Sequence, residues 1–143
     1  MPTIRYFPPA ISRSRPTWFN EFDSAYIRGI LQEIYVGLQN GTASLATMGI
    51  RALLEFVMIQ KVGDKGTFTR NLDEFQKQGY ISEGQRDILN VVLETGHAAM
   101  HRSYVPSQED LITCMDIAES VIETIYIHPR KAKDLTKKLP KRK

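Results

Sequence analysis

The sequence has few of the features on which secreted, zinc-binding and membrane proteins depend. Its single cysteine, Cys114, cannot form a disulfide within one chain or provide a multi-cysteine zinc site. No apolar run approaches the roughly 18–20 residues of a membrane span, and the first residues lack the unbroken apolar core of a signal peptide. These absences predict a cytoplasmic protein without a membrane partner, a zinc ribbon or an internal disulfide.

Strands are also missing from the pattern. No stretch of useful length alternates apolar and polar residues, whereas apolar residues recur at helical spacing along most of the chain. A length of 143 residues suits one domain. We therefore expect an all-α bundle of four longer helices and one short helix. The expected helices cover residues 20–40, 45–59, 72–78, 82–101 and 107–128.

Local residues indicate where three of these helices begin or end. Asn71 with Glu74, and Ser82 with Gln85, have the spacing of a capping box. The short helix is therefore expected to begin beside Asn71, and the next helix beside Ser82. Pro129 lacks the amide donor that a helix interior requires, so it is expected to end the last helix.

Three parts of the chain follow from these expectations: an extended arm over residues 1–19, the helical bundle over 20–129, and a basic tail over 130–143. Four prolines favour an extended arm. The aromatic residues of the arm indicate that it lies on an apolar surface, either of its own bundle or of a second copy.

Positive charge is concentrated in the tail. Residues 130–143 hold eight basic residues and one acid, a formal charge of +7, whereas the rest of the chain carries −4. We expect a disordered, solubilising terminus; the alternative is nucleic-acid binding through phosphate attraction. In that alternative, the residues that contact nucleic acid are Lys131, Lys133, Lys137, Lys138, Lys141, Arg142 and Lys143.

Glu94, His97 and His101 share one face of the fourth predicted helix. Imidazole and carboxylate both suit zinc and related ions. However, the spacing is not that of a zinc protease, and no further histidine or cysteine cluster completes the coordination. We favour a structural role, with one histidine buried and hydrogen-bonded near the helix end, and we expect no metal and no cofactor. Gly96 in the same helix indicates close packing or a local bend.

Arg51 and Glu55 lie one helical turn apart on the most apolar predicted helix. Such a pair is either exposed or a partly buried ion pair, and a structural role is favoured over catalysis. Cys114 falls on the apolar stripe of the last helix and is expected to be buried rather than nucleophilic. The glycines at 63 and 66 lack the Lys-Ser/Thr that follows a phosphate-binding loop, which excludes nucleotide hydrolysis of the P-loop type.

Three short motifs carry a family resemblance: YFPP at 6–9, RALLE at 51–55 and LETGHAAMH at 93–101. Together with the connector at 72–81 and a helix that begins near residue 109, they resemble the domain of unknown function 4145 family over about residues 4–128. That family is similar to the HEPN (higher eukaryote and prokaryote nucleotide-binding) superfamily of helical domains. The resemblance implies a HEPN-like bundle, a homodimer, and an association with bacterial defence or restriction-type systems.

Some HEPN domains are metal-independent ribonucleases that carry an arginine, four to six residues and then a histidine. His101 matches that histidine, and His97 could be the polar residue of the motif. The arginine position falls on Gly96 or Glu94, neither of which is basic. Phosphate cleavage requires a cation or donor to stabilise the developing charge, and these residues provide none.

The sequence therefore favours a non-catalytic interaction or accessory module, homodimeric and with a possible protein partner. The alternative is a HEPN-type endoribonuclease that uses His101 as acid and base, with Arg102 or Arg51 as the phosphate-binding group. A second alternative is nucleic-acid binding through the basic tail.

Overall fold

Helices form almost all the regular structure of this protein. The computed structural model describes residues 11–142, which contain no strand. A 3-10 turn, Phe19–Glu21, precedes the helices, and a π-helical turn, Glu123–Ile127, lies between the last two. The helices are α1 (Ala25–Gln39), α2 (Ala43–Val62), α3 (Phe68–Lys77), α4 (Glu83–His101), α5 (Gln108–Ile122) and α6 (His128–Lys138).

The predicted all-α architecture of four longer helices and one short helix is confirmed, with α6 as an extension of the last long one. Helix α2 lies at the centre and packs against α1, α3, α4 and α5. Its fully buried side chains include Ile50, Leu53 and Val57. Removal of these apolar surfaces from water is the main source of stability.

The length and composition of α2 correct the expectation that no apolar segment approaches the length of a membrane span. At 20 residues and a mean hydropathy of 1.3 in its most apolar window, Ala43–Val62 is long and apolar enough to cross a membrane by length and composition. Four neighbouring helices pack against α2, and 39% of that window is buried among them. A core helix can pass the same test as a membrane span, so length and composition alone are weak evidence for one.

Side-chain caps fix the beginnings of α1, α3, α4 and α5. Ser82 and Gln85 form the predicted capping box at α4, and Ser107 accepts a hydrogen bond from the Asp110 amide at the start of α5. The prediction for α3 was wrong, because its cap is Thr67. Asn71 is buried inside α3 and its side chain instead accepts a hydrogen bond of 2.6 Å from the Lys65 amide.

At the C-terminus the structure has a helix where the sequence predicted a disordered tail. Pro129 lies in the first turn of α6, where no amide donor is needed, and therefore begins a helix instead of ending one. Lys137 and Lys138 lie in the last turn, where positive charge interacts favourably with the helix dipole. Arg130 fixes the start of α6 by hydrogen bonds of 2.7 and 3.0 Å to the carbonyl and carboxylate of Glu21.

The segment before α1 is held against the bundle. The Ile11 amide donates to the Leu38 carbonyl at 3.0 Å, and Trp18 is buried against Phe22 with ring centroids 5.5 Å apart. This packing agrees with an arm that lies on an apolar surface of its own bundle. The first ten residues of the predicted arm, with the YFPP motif, lie outside the described residues.

A polar cluster joins this segment to α1 and α5. Arg13 pairs with Glu119, and with Asp116 at 2.6 Å, while the Tyr35 hydroxyl donates to Glu119 at 2.6 Å. Burial and the hydrogen bond to Glu119 raise the pKa of Tyr35 far above its ordinary value. Tyr35 therefore stays protonated as a donor at all ordinary pH values.

Candidate functional site

The closest helix contact in the region of the histidines joins Gly96 of α4 to Arg51 of α2. A Cβ atom built on Gly96 would lie 2.6 Å from the Cβ of Arg51, closer than real Cβ atoms approach. Of the two explanations that the sequence offered for Gly96, the structure shows close packing. Glycine is required here because the two helices meet at this point.

The guanidinium of Arg51 contacts three neighbouring groups. It lies 3.1 Å from Glu55, donates to the Leu93 carbonyl at 3.3 Å and covers the ring of Phe68 at 4.8 Å. Only 11% of the Arg51 side chain is exposed. Arg51 and Glu55 therefore form a partly buried ion pair within α2, and the hydrogen bond from Arg51 to Leu93 ties α2 to α4. Glu55 already compensates the positive charge of Arg51.

The two histidines of α4 lie side by side, with ring centroids 4.5 Å apart. His101 is exposed, whereas His97 is half-buried, and its buried Nδ1 atom has no hydrogen-bond partner among residues 11–142. The partial burial of His97 agrees with the predicted structural role. Glu94 lies near Arg102, at 3.9 Å, and no group of three possible metal ligands occurs within residues 11–142.

Arg102 ends α4 at the surface, with 63% of its side chain exposed. Ser103 follows with a φ of 53°, a left-handed conformation that turns the chain away from α4. The structure therefore places Arg102 at the surface beside Glu94. Arg51, a residue of α2, contacts the opposite side of α4 at Gly96.

An apolar groove runs between α4 and α5, which both pack on α2 and leave a space between them. We call it the α4–α5 groove. Ile88, Val91 and Tyr104 on its wall are 50%, 64% and 43% exposed. Its residues are Ile88, Val91, Val92, Thr95, Tyr104, Asp110, Thr113, Cys114 and Ile117. Such a run of exposed apolar side chains is typical of an interaction surface.

Helical spacing does not reveal this groove, because the exposed Ile88 and Val91 alternate with buried apolar residues along α4. The adjacent Leu89, Val92 and Leu93 are buried. One feature of the sequence does indicate an exposed apolar surface: apolar residues occupy more of the circumference of α4 than one neighbouring helix can bury. Cys114 is buried at the base of the groove, and desolvation raises the pKa of its thiol, which makes it a poor nucleophile at neutral pH.

The predicted nucleic-acid-binding side chains line an exposed helix. No residue of α6 is buried. Lys131, Lys133, Lys137 and Lys138 belong to α6, and Lys141 and Arg142 follow it, whereas Lys143 lies outside the described residues. The charge is thus arranged on a helical surface.

Comparison with known proteins gives one result. No curated protein and no solved structure matches this chain. The family model described as "Domain of unknown function (DUF4145)" matches residues 32–138 and therefore includes α6 as well as the bundle. Since this match covers most of the chain, the protein belongs to the DUF4145 family.

Proposed function

We propose that this protein is a non-catalytic, HEPN-like interaction module of the cytoplasm that forms a homodimer through the α4–α5 groove. The observation that carries the proposal is the exposure of Ile88, Val91 and Tyr104 along one continuous groove. Burial of these side chains in a dimer removes apolar surface from water. The family resemblance adds an accessory role in bacterial defence or restriction-type systems, and a further protein partner.

The electrostatics of α4 argue for the absence of catalysis. An RNA cleavage site needs an available cation beside the phosphate. Arg51 is paired with Glu55 and largely buried, and Arg102 lies beside Glu94. An arginine at position 96 does not fit, because Arg51 already occupies the adjacent space. Gly96→Arg is therefore not a simple restoration of the ribonuclease motif.

Val91→Glu tests the dimer surface directly. A carboxylate in the groove must lose water without gaining a partner, so we expect the dimer dissociation constant to rise about tenfold or more. Val36→Glu on α1 is the matched control, since Val36 is also an exposed helical valine, outside the groove. Sedimentation equilibrium measures both constants. Equal dissociation constants for the two variants would contradict the proposed surface.

One observation favours a second candidate function, the endoribonuclease. His101 is exposed and 4.5 Å from His97, so one imidazole is open to substrate beside a second. The ribonuclease hypothesis predicts that mixed RNA is cleaved in EDTA by the unmodified chain and spared by His101→Ala. Our leading proposal predicts no cleavage by either protein. Cleavage that disappears in the variant would replace the leading proposal with this one.

A further inference from the structure

The exposed face of α6 is amphipathic. At 100° per residue, Ala132, Leu135 and the following Leu139 lie on one side of the helix. Leu135 and Leu139 are 62% and 68% exposed. Phosphate binding by the basic residues does not explain this apolar strip, whereas contact with an apolar protein surface does.

Lysines flank the strip on both sides. Lys131 and Lys138 lie on one side of it, and Lys133 and Lys137 lie on the other. Residues 128–138 hold five basic residues and one acid, a formal charge of +4. Helix α6 therefore requires a partner surface that is apolar at its centre and acidic at its edges.

The α4–α5 groove has that character. Exposed Asp110 lines the groove on its α5 side. Asp87 and Glu94 are not among the lining residues, but at 100° per residue they lie on the face of α4 next to Ile88 and Val91, at the outer edge of the groove. Residues 83–117 hold six acidic and two basic residues, a formal charge of −4. Arg86 pairs with Asp73 and lies 3.8 Å from Asp87, and Arg102 lies 3.9 Å from Glu94, so these two edge acids are partly compensated within their own chain.

Helix α6 cannot occupy the groove of its own chain. It follows α5 through the π-helical turn without an intervening loop, so Leu135 lies about 30 Å beyond Cys114 along the helix direction at 1.5 Å per residue. Arg130 further fixes α6 to Glu21, at the other end of the bundle from Tyr104. The α6 strip and the groove can meet only between two copies.

We propose that α6 of one copy binds in the α4–α5 groove of a second copy, with Leu135 and Leu139 on the apolar floor and the flanking lysines beside Asp87, Glu94 and Asp110. Reciprocal binding fills both grooves and closes a two-fold dimer. This inference rests on the proposed homodimer and identifies the segment that occupies its groove.

A charge-exchange experiment in the full chain tests this arrangement. Variant one carries Lys133→Glu and Lys137→Glu; variant two carries Asp87→Lys and Asp110→Lys. Each variant alone brings like charges together, so its self-dissociation constant is expected to rise about tenfold or more. An equimolar mixture pairs acidic α6 with basic groove and basic α6 with acidic groove. It is expected to form heterodimers with nearly the original affinity.

Lys77→Glu, an exposed substitution on α3, is the matched charge control and should leave the dimer unchanged. Helical circular dichroism checks that each variant is folded. If the wild type is a dimer and both double variants dimerise with the same affinity, the α6 assignment is overturned while the homodimer proposal stands. A monomeric wild type would overturn both. A monomer that binds RNA through α6 with steep salt dependence would also overturn the assignment and favour the nucleic-acid alternative.

A cysteine pair gives independent evidence. In a Cys114→Ser background, a chain with Val91→Cys is mixed with a differently tagged chain with Leu135→Cys and oxidised. Disulfide-linked heterodimers are expected, because the proposed contact brings the two thiols together. Val36→Cys replaces Val91→Cys in the control and should not cross-link. Equal cross-linking of both pairs would overturn the assignment.

Discussion

Gly96→Ala is expected to destabilise the protein by about 1–3 kcal/mol. Alanine normally stabilises a helix interior relative to glycine by up to about 1 kcal/mol. At position 96, however, the new Cβ would lie 2.6 Å from the Arg51 Cβ. That atom is attached directly to the backbone of α2, so relief requires one helix to move. Urea denaturation followed by circular dichroism measures the change.

Gly29→Ala is the matched control, because Gly29 lies inside α1 and, among the described residues, no atom beyond its chain neighbours and its own helix backbone comes within 4 Å of the position of its Cβ. This variant should gain stability by up to about 1 kcal/mol. The two alanine substitutions therefore differ in sign. Adding Arg51→Ala to Gly96→Ala should not restore stability, since alanine retains the Cβ that causes the clash. A stabilised Gly96→Ala variant would contradict the close approach of α2 and α4.

Glu119→Ala is expected to cost about 3 kcal/mol. The Glu119 side chain is 13% exposed and accepts hydrogen bonds from both Arg13 and the Tyr35 hydroxyl. Its removal leaves Arg13, itself 19% exposed, with only Asp116, and leaves the Tyr35 hydroxyl without the acceptor it now has. Thermal and urea denaturation should both show the loss.

Two controls separate the charge of Glu119 from its position. Asp116→Ala removes the other partner of Arg13, but Asp116 is 62% exposed, so its loss should cost no more than about 1 kcal/mol. Glu119→Gln keeps an acceptor for Tyr35 and should fall between the two alanine variants. If Asp116→Ala and Glu119→Ala were equally mild, the partly buried cluster would not hold the N-terminal segment to α5.

Local chemistry predicted the parts of the fold that depend on neighbouring residues. The Ser82–Gln85 capping box is one example. The start of α3 was misplaced because Asn71 and Glu74 have capping spacing, while the Asn71 side chain is drawn to the Lys65 amide by the fold. A cap is decided by backbone geometry, which spacing alone does not contain.

Features that depend on contacts between distant residues could not be predicted from the sequence. The partner of Gly96 is Arg51, 45 positions earlier, and no periodicity connects them. Ile88 belongs to an apolar face of α4 that α2 does not cover, and a helical stripe does not reveal which apolar residues remain exposed. The dense positive charge of residues 130–143 led to a prediction of disorder, because Ala132 and Leu135 are the only apolar members of α6 and form too short a pattern to indicate a helix.

The solution mass of the unmodified chain tests the central claim most directly. Sedimentation equilibrium over a range of concentrations should give a species of twice 16.3 kDa that dissociates at high dilution. High salt should weaken the association, because the proposed contact places the lysines of α6 beside acidic groups at the groove. A mass of 16.3 kDa at every concentration would contradict the homodimer and, with it, the proposed role of the α4–α5 groove.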